Sequence, residues 1–288
     1  MLLTTFLLGA LYVVFFIVLI SVFQLSVGLV IALLAILAIV QFYMSDKIAL
    51  RASGAKIVSC EEAPELHSMV ERLCTLADLP KPKIAIIPTD VPNAFATGRS
   101  RKNSAVAVTR GLWNRLEPAE TEAVLAHELA HIANRDVLIM TLAGFFAMVA
   151  GLMMRYGMFG GMMRGGRGGG NQGAAIAIIL VVSLITYVIS FLLIRAISRY
   201  REYAADRGAA VITGAPENLM SALQKISGQM AHIPQRDLRE IEAMNAFFII
   251  PASVKKSALE LFHTHPPLEK RMAALTKVAR EMGRPIAA

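Results

Sequence analysis

The first charged side chain in this sequence is Asp46. Forty-five residues of helix are about 68 Å long at 1.5 Å per residue, roughly twice the hydrocarbon core of a bilayer. The run therefore reads as two spans. Residues 2–20 form the first, and 27–42 form the second. Ser21, Gln24, Ser26 and Gly28 mark the turn between them. A cleaved signal peptide would want a basic start, a shorter apolar core and a small-residue cleavage site, with no second span directly after it. Two further apolar stretches follow at 137–154 and 174–194, around a loop of Gly, Met and Arg that lacks a phosphate-binding pattern. Composition agrees: 56% hydrophobic and 17% charged residues exclude an ordinary soluble domain, as does a mean hydropathy of +0.56. The net charge of +8 would suit nucleic acid. However, the basic residues flank apolar stretches and no nucleic-acid motif occurs. The lipid bilayer, with its anionic headgroups, is the partner they imply.

Between the apolar pairs the sequence is polar enough to fold in water. Glu61, Glu62 and Pro64 open a helix with Leu66, Met69, Val70, Leu73 and Leu76 at helical spacing. Residues 83–88, 94–97 and 105–109 read as three short strands. Gly98 and the Arg-Ser-Arg-Lys-Asn run form the loop between the last two. Asp90-Val91-Pro92-Asn93 is turn chemistry, and Asn93 either caps that turn or donates to a bound substrate. Cys60 and Cys74 make no disulfide framework and lie near no histidine, so both are read as structural. His67 lies on the first of these helices, away from the motif described next. His232 is read as a surface residue.

That motif is His127-Glu128-Leu129-Ala130-His131. Six histidines and 21 acidic residues in 288 make an accidental H-E-x-x-H expected about 0.01 times. Residues 120–132 contain no Pro or Gly and read as helix, and the helix is expected to continue beyond His131. Positions i and i+4 share a helix face, so both imidazoles can reach one Zn²⁺. Glu128 stands beside the first ligand, where a carboxylate can take a proton from a zinc-bound water. Such a site needs a third ligand. Glu202 and Asp206 are again i and i+4 on a predicted helix. One of them can bind the metal while the other accepts the free N–H of a ligand histidine. A solvated helix, with Arg199, Arg201 and Arg207 pairing these acids, is the rival reading.

The combination of His127-Glu128-Leu129-Ala130-His131, Glu202 in Ser-Arg-x-x-Glu-x-x-Ala-Asp, Asn93-Ala94-Phe95-Ala96 and His265-Pro266 resembles the HtpX family. These are membrane-integrated zinc proteases related to the CAAX prenyl proteases, and the likeness runs through nearly the whole chain in order. It implies one zinc held by His127, His131 and Glu202, Glu128 as the base, and Asp206 orienting a ligand histidine. It implies substrate contacts from Asn93 and from His265, the latter to the substrate carbonyl or the developing oxyanion. His263 gets no role. The implied activity is quality control, the cleavage of misfolded or damaged membrane proteins under stress, with a second membrane protease as a candidate partner.

The expected architecture is an α-helical integral membrane protein with about four transmembrane helices and a mainly α, zincin-type catalytic domain carrying a small sheet. Residues 1–45 form one transmembrane hairpin and 137–195 another. Residues 46–136 and 196–288 are the two parts of the catalytic domain. Because Glu202 must meet the histidines on one side of the membrane, the third and fourth stretches either both cross or neither does. Lys47, Arg51, Lys56, Arg135, Arg195, Arg199 and Arg201 lie near membrane ends on the active-site side, against Arg155, Arg164 and Arg167 opposite. That balance places the catalytic domain in the cytoplasm, and the resemblance implies the plasma (bacterial inner) membrane. Three other readings compete. An intramembrane protease would not precede its motif with Arg115, Glu117, Glu120 and Glu122. A CAAX-type protease would carry more spans. A metal-bound scaffold or holdase would not need Glu128.

Overall fold

The computed structural model describes residues 27–136, 138–140, 170–230 and 265–284, with isolated positions at 7, 10, 13, 17, 144 and 151. Most of the first expected span, most of the third apolar stretch, the glycine-rich loop before Gly170 and residues 231–264 lie outside the described residues. So do His232 and His263. The chain divides into two compact units. One is Met1–Tyr43 with Ile139–Ile197, and the other is Met44–Leu138 with Ser198–Ala288. The described residues are mostly helical, with one small sheet.

The second unit holds a four-stranded sheet of β1 (Lys56–Ile57), β2 (Lys83–Ile87), β3 (Ala94–Ser100) and β4 (Asn103–Thr109), in the order β1-β2-β4-β3. Only β2 and β4 run parallel. β1 is two residues long, too short to leave a strand pattern in the sequence. The loop expected from Gly98 to Asn103 shortens to Arg101 and Lys102, because β3 and β4 pair out to Ser100 and Asn103. A bulge at Gly98–Ser100 absorbs the mismatch. Gly98 sits there at φ 143°, where a Cβ would overlap the Asn103 carbonyl. Alternate side chains leave the sheet on opposite faces. Ile84, Ala94, Val106 and Val108 enter the main core, whereas Ala85, Ile87, Phe95 and Ala107 pack on Ala49. Ala49 belongs to α1 (Val27–Ala52), which runs on through Asp46, past the expected end of the second span.

Helix α2 (Pro64–Leu76) begins on Pro64 and buries Leu66, Val70, Leu73 and Cys74. Its His67 is not isolated, and Cys60 is not remote from histidine, contrary to expectation. The chain before the helix folds back so that Cys60 Sγ lies 3.0 Å from His67 Nδ1. A short α3 (Arg110–Arg115) leads to α4 (Pro118–Ala133), which carries the histidine pair. Pro118 occupies its first turn, where the missing N–H costs nothing. Glu120 closes that turn by accepting the Glu117 amide at 2.9 Å, and also takes Ser221 Oγ at 2.6 Å and Lys225 Nζ at 2.7 Å. It thereby pins α6 (Pro216–Met230) to the start of α4. At the other end, Arg101 donates through Nε and Nη2 to the Ala133 carbonyl, at 3.1 and 2.5 Å. The helix stops there instead of continuing: Arg135 has φ 57°, and helical residues resume at Asp136.

Helix α5 (Gly170–Thr213) is 44 residues long. It merges the fourth apolar stretch with the Glu202 helix, and it absorbs Asn171 to Gly173 from the expected loop. Its segment from Leu180 is the described helix long and apolar enough to cross a membrane. Within the first unit that segment is inside-out. Ser183, Thr186 and Ser190 are buried, while Val181, Leu184, Ile185 and Val188 are exposed. Small polar residues inside and branched apolar residues outside are the arrangement a lipid-facing helix requires. Beyond Ser198 the helix enters the second unit, where Gly208 meets α4. A Cβ on Gly208 would stand 2.7 Å from Ala130 Cβ. Helix α7 (Leu268–Glu281) completes that unit and buries Arg271, Leu275, Val278 and Ala279.

Gly208 yields a test with a sign. In an open helix, Gly→Ala stabilises by about 0.5–1 kcal/mol. Here Gly208→Ala overpacks the contact with Ala130 and is expected to destabilise by about 1–3 kcal/mol. Thermal unfolding of the detergent-solubilised protein measures it, and an unchanged or raised Tm would show the contact to be slack.

Candidate metal centre

Helix geometry brings His127 and His131 onto the buried face of α4, 1% and 8% exposed. Their Nε2 atoms are 3.2 Å apart, and the rings stand nearly perpendicular, with centroids 4.7 Å apart. Glu202 comes in from α5. Its Oε1 is 3.6 Å from His131 Nε2, and its Oε2 is 3.7 Å from His127 Nε2. Tetrahedral zinc with bonds of about 2.0–2.1 Å has ligand-to-ligand edges of about 3.3 Å. The three donor groups are therefore spaced to share one ion. Glu202 Oε2 is fully buried, with His265 Nδ1 at 3.1 Å and Arg271 Nη1 at 3.7 Å among its neighbours. A cation held by the three donors would add favourable charge to this buried carboxylate.

Each histidine is held from behind by a carboxylate, and each carboxylate by an arginine. His127 Nδ1 lies 3.0 Å from Asp206 Oδ1. Asp206 in turn takes Arg271 Nη2 at 2.6 Å and Nε at 2.9 Å. His131 Nδ1 is 2.6 Å from Asp136 Oδ2, and Arg201 Nε lies 3.1 Å from Asp136 Oδ1. A carboxylate on Nδ1 fixes the tautomer, so Nε2 keeps its lone pair for a metal. The charges also count toward a cation. Glu128, Asp136, Glu202 and Asp206 are all buried and carry four negative charges when ionised. Arg201 and Arg271 return two. The residual charge of −2 is what a divalent ion neutralises.

Without that ion the site titrates unusually. Burial pushes the Glu128 carboxyl above its ordinary range, with the Glu202 charge adding to it and the two histidines opposing. Burial would depress His127, but hydrogen bonding with Asp206 and Glu202 outweighs it and lifts the imidazole to about 9. Glu128 is further oriented by the sheet: the Ala96 amide of β3, an edge strand, donates to its Oε2 at 2.8 Å.

Of the residues singled out from the sequence, His127, His131 and Glu202 converge, and Asp206 backs His127. His265 joins the cluster, with Nδ1 3.1 Å from Glu202 Oε2. Asn93 is buried just before β3. Its backbone is tied to Thr109, whose amide donates to the Asn93 carbonyl while Thr109 Oγ1 accepts the Asn93 amide, both at 2.9 Å. Asp136, Arg201 and Arg271 were not found. Asp136 is i+5 from His131, about 140° around a continuous helix and out of reach. The break at Arg135 is what returns it. Arg271 did leave a signal: it shares a helix face with Leu268 and Leu275, an apolar stripe where a charge must be paired.

With this geometry in hand, comparison with known proteins is decisive. Residues 61–279 match the model of peptidase family M48. The chain belongs to peptidase family M48. Membership makes it a metallopeptidase, and all the converging residues lie inside the matched span. Relatives at the level of the whole chain carry the HtpX name that the motifs suggested. Protease HtpX homolog 2 of Methanosarcina mazei is 52% identical over 98% of this chain and 95% of its own length. The protease HtpX homolog of Moorella thermoacetica is 54% identical over 98% and 94%. The crystal structure of S. mikatae Ste24p shares the fold, with a TM-score of 0.58 at 21% identity. It matches 93% of this chain, which spans 62% of the Ste24p chain.

Two outcomes follow for the M48 site. Asp136→Asn and Asp206→Asn each weaken zinc binding by about 10–100-fold, measured by competition with a chromogenic chelator. Wild-type affinity in both would leave the carboxylates without influence on the ligands. Zinc must also displace the His127 proton. Because that pKa is raised to about 9, zinc affinity rises with pH by about tenfold per unit until pH 9 is reached. Calorimetry in buffers of different ionisation heat reads the released proton directly. No proton release at pH 7 would contradict the raised value.

Proposed function

We propose that this M48 metallopeptidase is a zinc-dependent endopeptidase of the membrane, cutting misfolded or damaged membrane proteins. The observation that carries this reading is a buried Glu128 carboxylate, oriented by the sheet and adjacent in the chain to a His127–His131–Glu202 donor set. A site serving structure alone would be closed by four protein ligands and would need no base beside it. Zinc bound there acts as a Lewis acid and makes its water acidic near neutral pH.

The chain's own groups do the remaining work. Glu128 accepts the proton of the attacking water and returns it to the leaving amine. Its raised pKa suits a group that must hold a proton between those events. Ala96 N–H keeps the carboxylate aimed while its charge changes. Asp206 and Asp136 hold the two imidazoles in the Nδ1–H form, and Arg271 and Arg201 pair with those carboxylates. His265 faces Glu202 through Nδ1, and its Nε2 is assigned to the substrate oxygen that becomes negative. Asn93, at the entry to edge strand β3, is assigned to the substrate backbone. An extended segment lying along β3 is recognised by its main chain, which gives loose sequence preference and suits an enzyme that meets many unfolded substrates.

The proposed topology has four spans, with both parts of the catalytic domain in the cytoplasm, at the plasma or bacterial inner membrane. The inside-out segment of α5 supports one span, and the uncharged residues before Asp46 support two more. A second membrane protease remains the proposed partner. The test compares wild type with Glu128→Gln in detergent, with zinc supplied, an unfolded model protein as substrate and a chelator control. The variant is expected to keep one zinc per chain and lose about 10²–10⁴-fold in cleavage rate. Cleavage at the wild-type rate would remove Glu128 from the chemistry.

A further inference from the structure

Among the described residues outside the metal centre, one other cluster combines a nucleophile, a base and a group that orients the base. Cys60 is exposed, and its Sγ lies 3.0 Å from His67 Nδ1. The other ring nitrogen, His67 Nε2, lies 3.1 Å from the Val58 carbonyl. A carbonyl can only accept, so Nε2 carries the hydrogen. In the neutral ring Nδ1 is then the acceptor, directed at the thiol. This is the nucleophile–base–orienter arrangement that activates a cysteine. Lys81 Nζ stands 4.0 Å from the same sulfur and adds positive charge. The acids nearby are engaged: Glu71 with Lys81 at 2.8 Å, and Glu62 with the Ser59 amide at 2.7 Å. Cys60 is exposed, so a reagent can approach its sulfur from solvent.

The geometry points to Cys60 as a thiol-modification site that forms mixed disulfides with small disulfide molecules, using His67 as its base. The Sγ proton passes to His67 Nδ1, and the thiolate attacks one sulfur of the incoming disulfide. The Cys60–sulfur bond forms as the disulfide bond breaks. The departing thiolate takes the proton back from His67, so one thiol and one disulfide are exchanged for another pair. The chain contains its own control. Its other cysteine, Cys74, is buried against Leu66 and Val70 in the core, and burial pushes that thiol up to about 11.

The test treats the full-length, detergent-solubilised protein with oxidised glutathione and follows the adduct by intact mass and peptide mapping. One glutathionyl group is expected per native chain, on Cys60, and none on native Cys60→Ser. Native Cys60 is expected to react about tenfold or more faster than the thiols of the urea-unfolded chain, and His67→Gln is expected to remove that advantage. The comparison with the unfolded chain needs no variant, so a misfolded His67→Gln does not leave the question open. Equal rates for native and unfolded protein, a folded His67→Gln reacting at the wild-type rate, or an adduct on Cys74 would each overturn the assignment.

Discussion

The metal centre of the second unit answers to one requirement: four carboxylates and three histidines must be kept out of water without being left unpaired. Burying an isolated charge costs many kcal/mol, and a buried pair survives only with good geometry and further hydrogen bonds. Arg271 supplies such geometry for Asp206, with two bonds of 2.6 and 2.9 Å from a guanidinium that is 1% exposed. Arg201 faces Asp136 with a single ion-pair contact, Nε to Oδ1 at 3.1 Å. The remaining negative charge is the driving force for a divalent ion.

Meeting that requirement takes close helix contact more than it takes any one bond. Glu202 and Asp206 reach the histidines because α5 lies directly on α4 at Gly208 and Ala130. Ala205, Ala209, Ala123 and Ala126 are all fully buried. Small residues on both helices let the backbones approach until short carboxylates span the gap. The sheet contributes from the other side. β3 is an edge strand, yet at Ala96 its outward amide is already used by Glu128. The same strand thus orients the base and offers the remainder of its edge.

The pentad and the i, i+4 carboxylates were legible in the sequence because both obey helical spacing. Asp136 was not, because its position depends on one left-handed residue, Arg135, that a continuous helix pattern conceals. The Cys60–His67 contact was hidden for a related reason. Seven residues separate the pair, and the contact exists because the chain reverses before Pro64. The helix start at Pro64 could be read closely, since proline fixes where a helix can start. The limits of β3 and β4 could not, because a bulge at a glycine resembles a loop in sequence.

Helix α5 shows why periodicity alone understates such a chain. Up to Ser190 its buried positions are small and polar and its exposed positions apolar. From Ser198 onward the relation changes: Ser198, Ala205, Asp206 and Ala209 are buried, while Arg207 is exposed. One helix thus obeys two solvents in turn. Averaged over its length, the two patterns oppose each other and no single amphipathic stripe emerges. Glu202 follows Ile194, the end of the apolar run, by eight residues of the same helix. Within the second unit, from Ser198 onward, helical spacing puts Glu202 and Asp206 on one face, and that sets the direction of both carboxylates toward the histidines. The charge pairing around Asp206 then has only to set its final ångström.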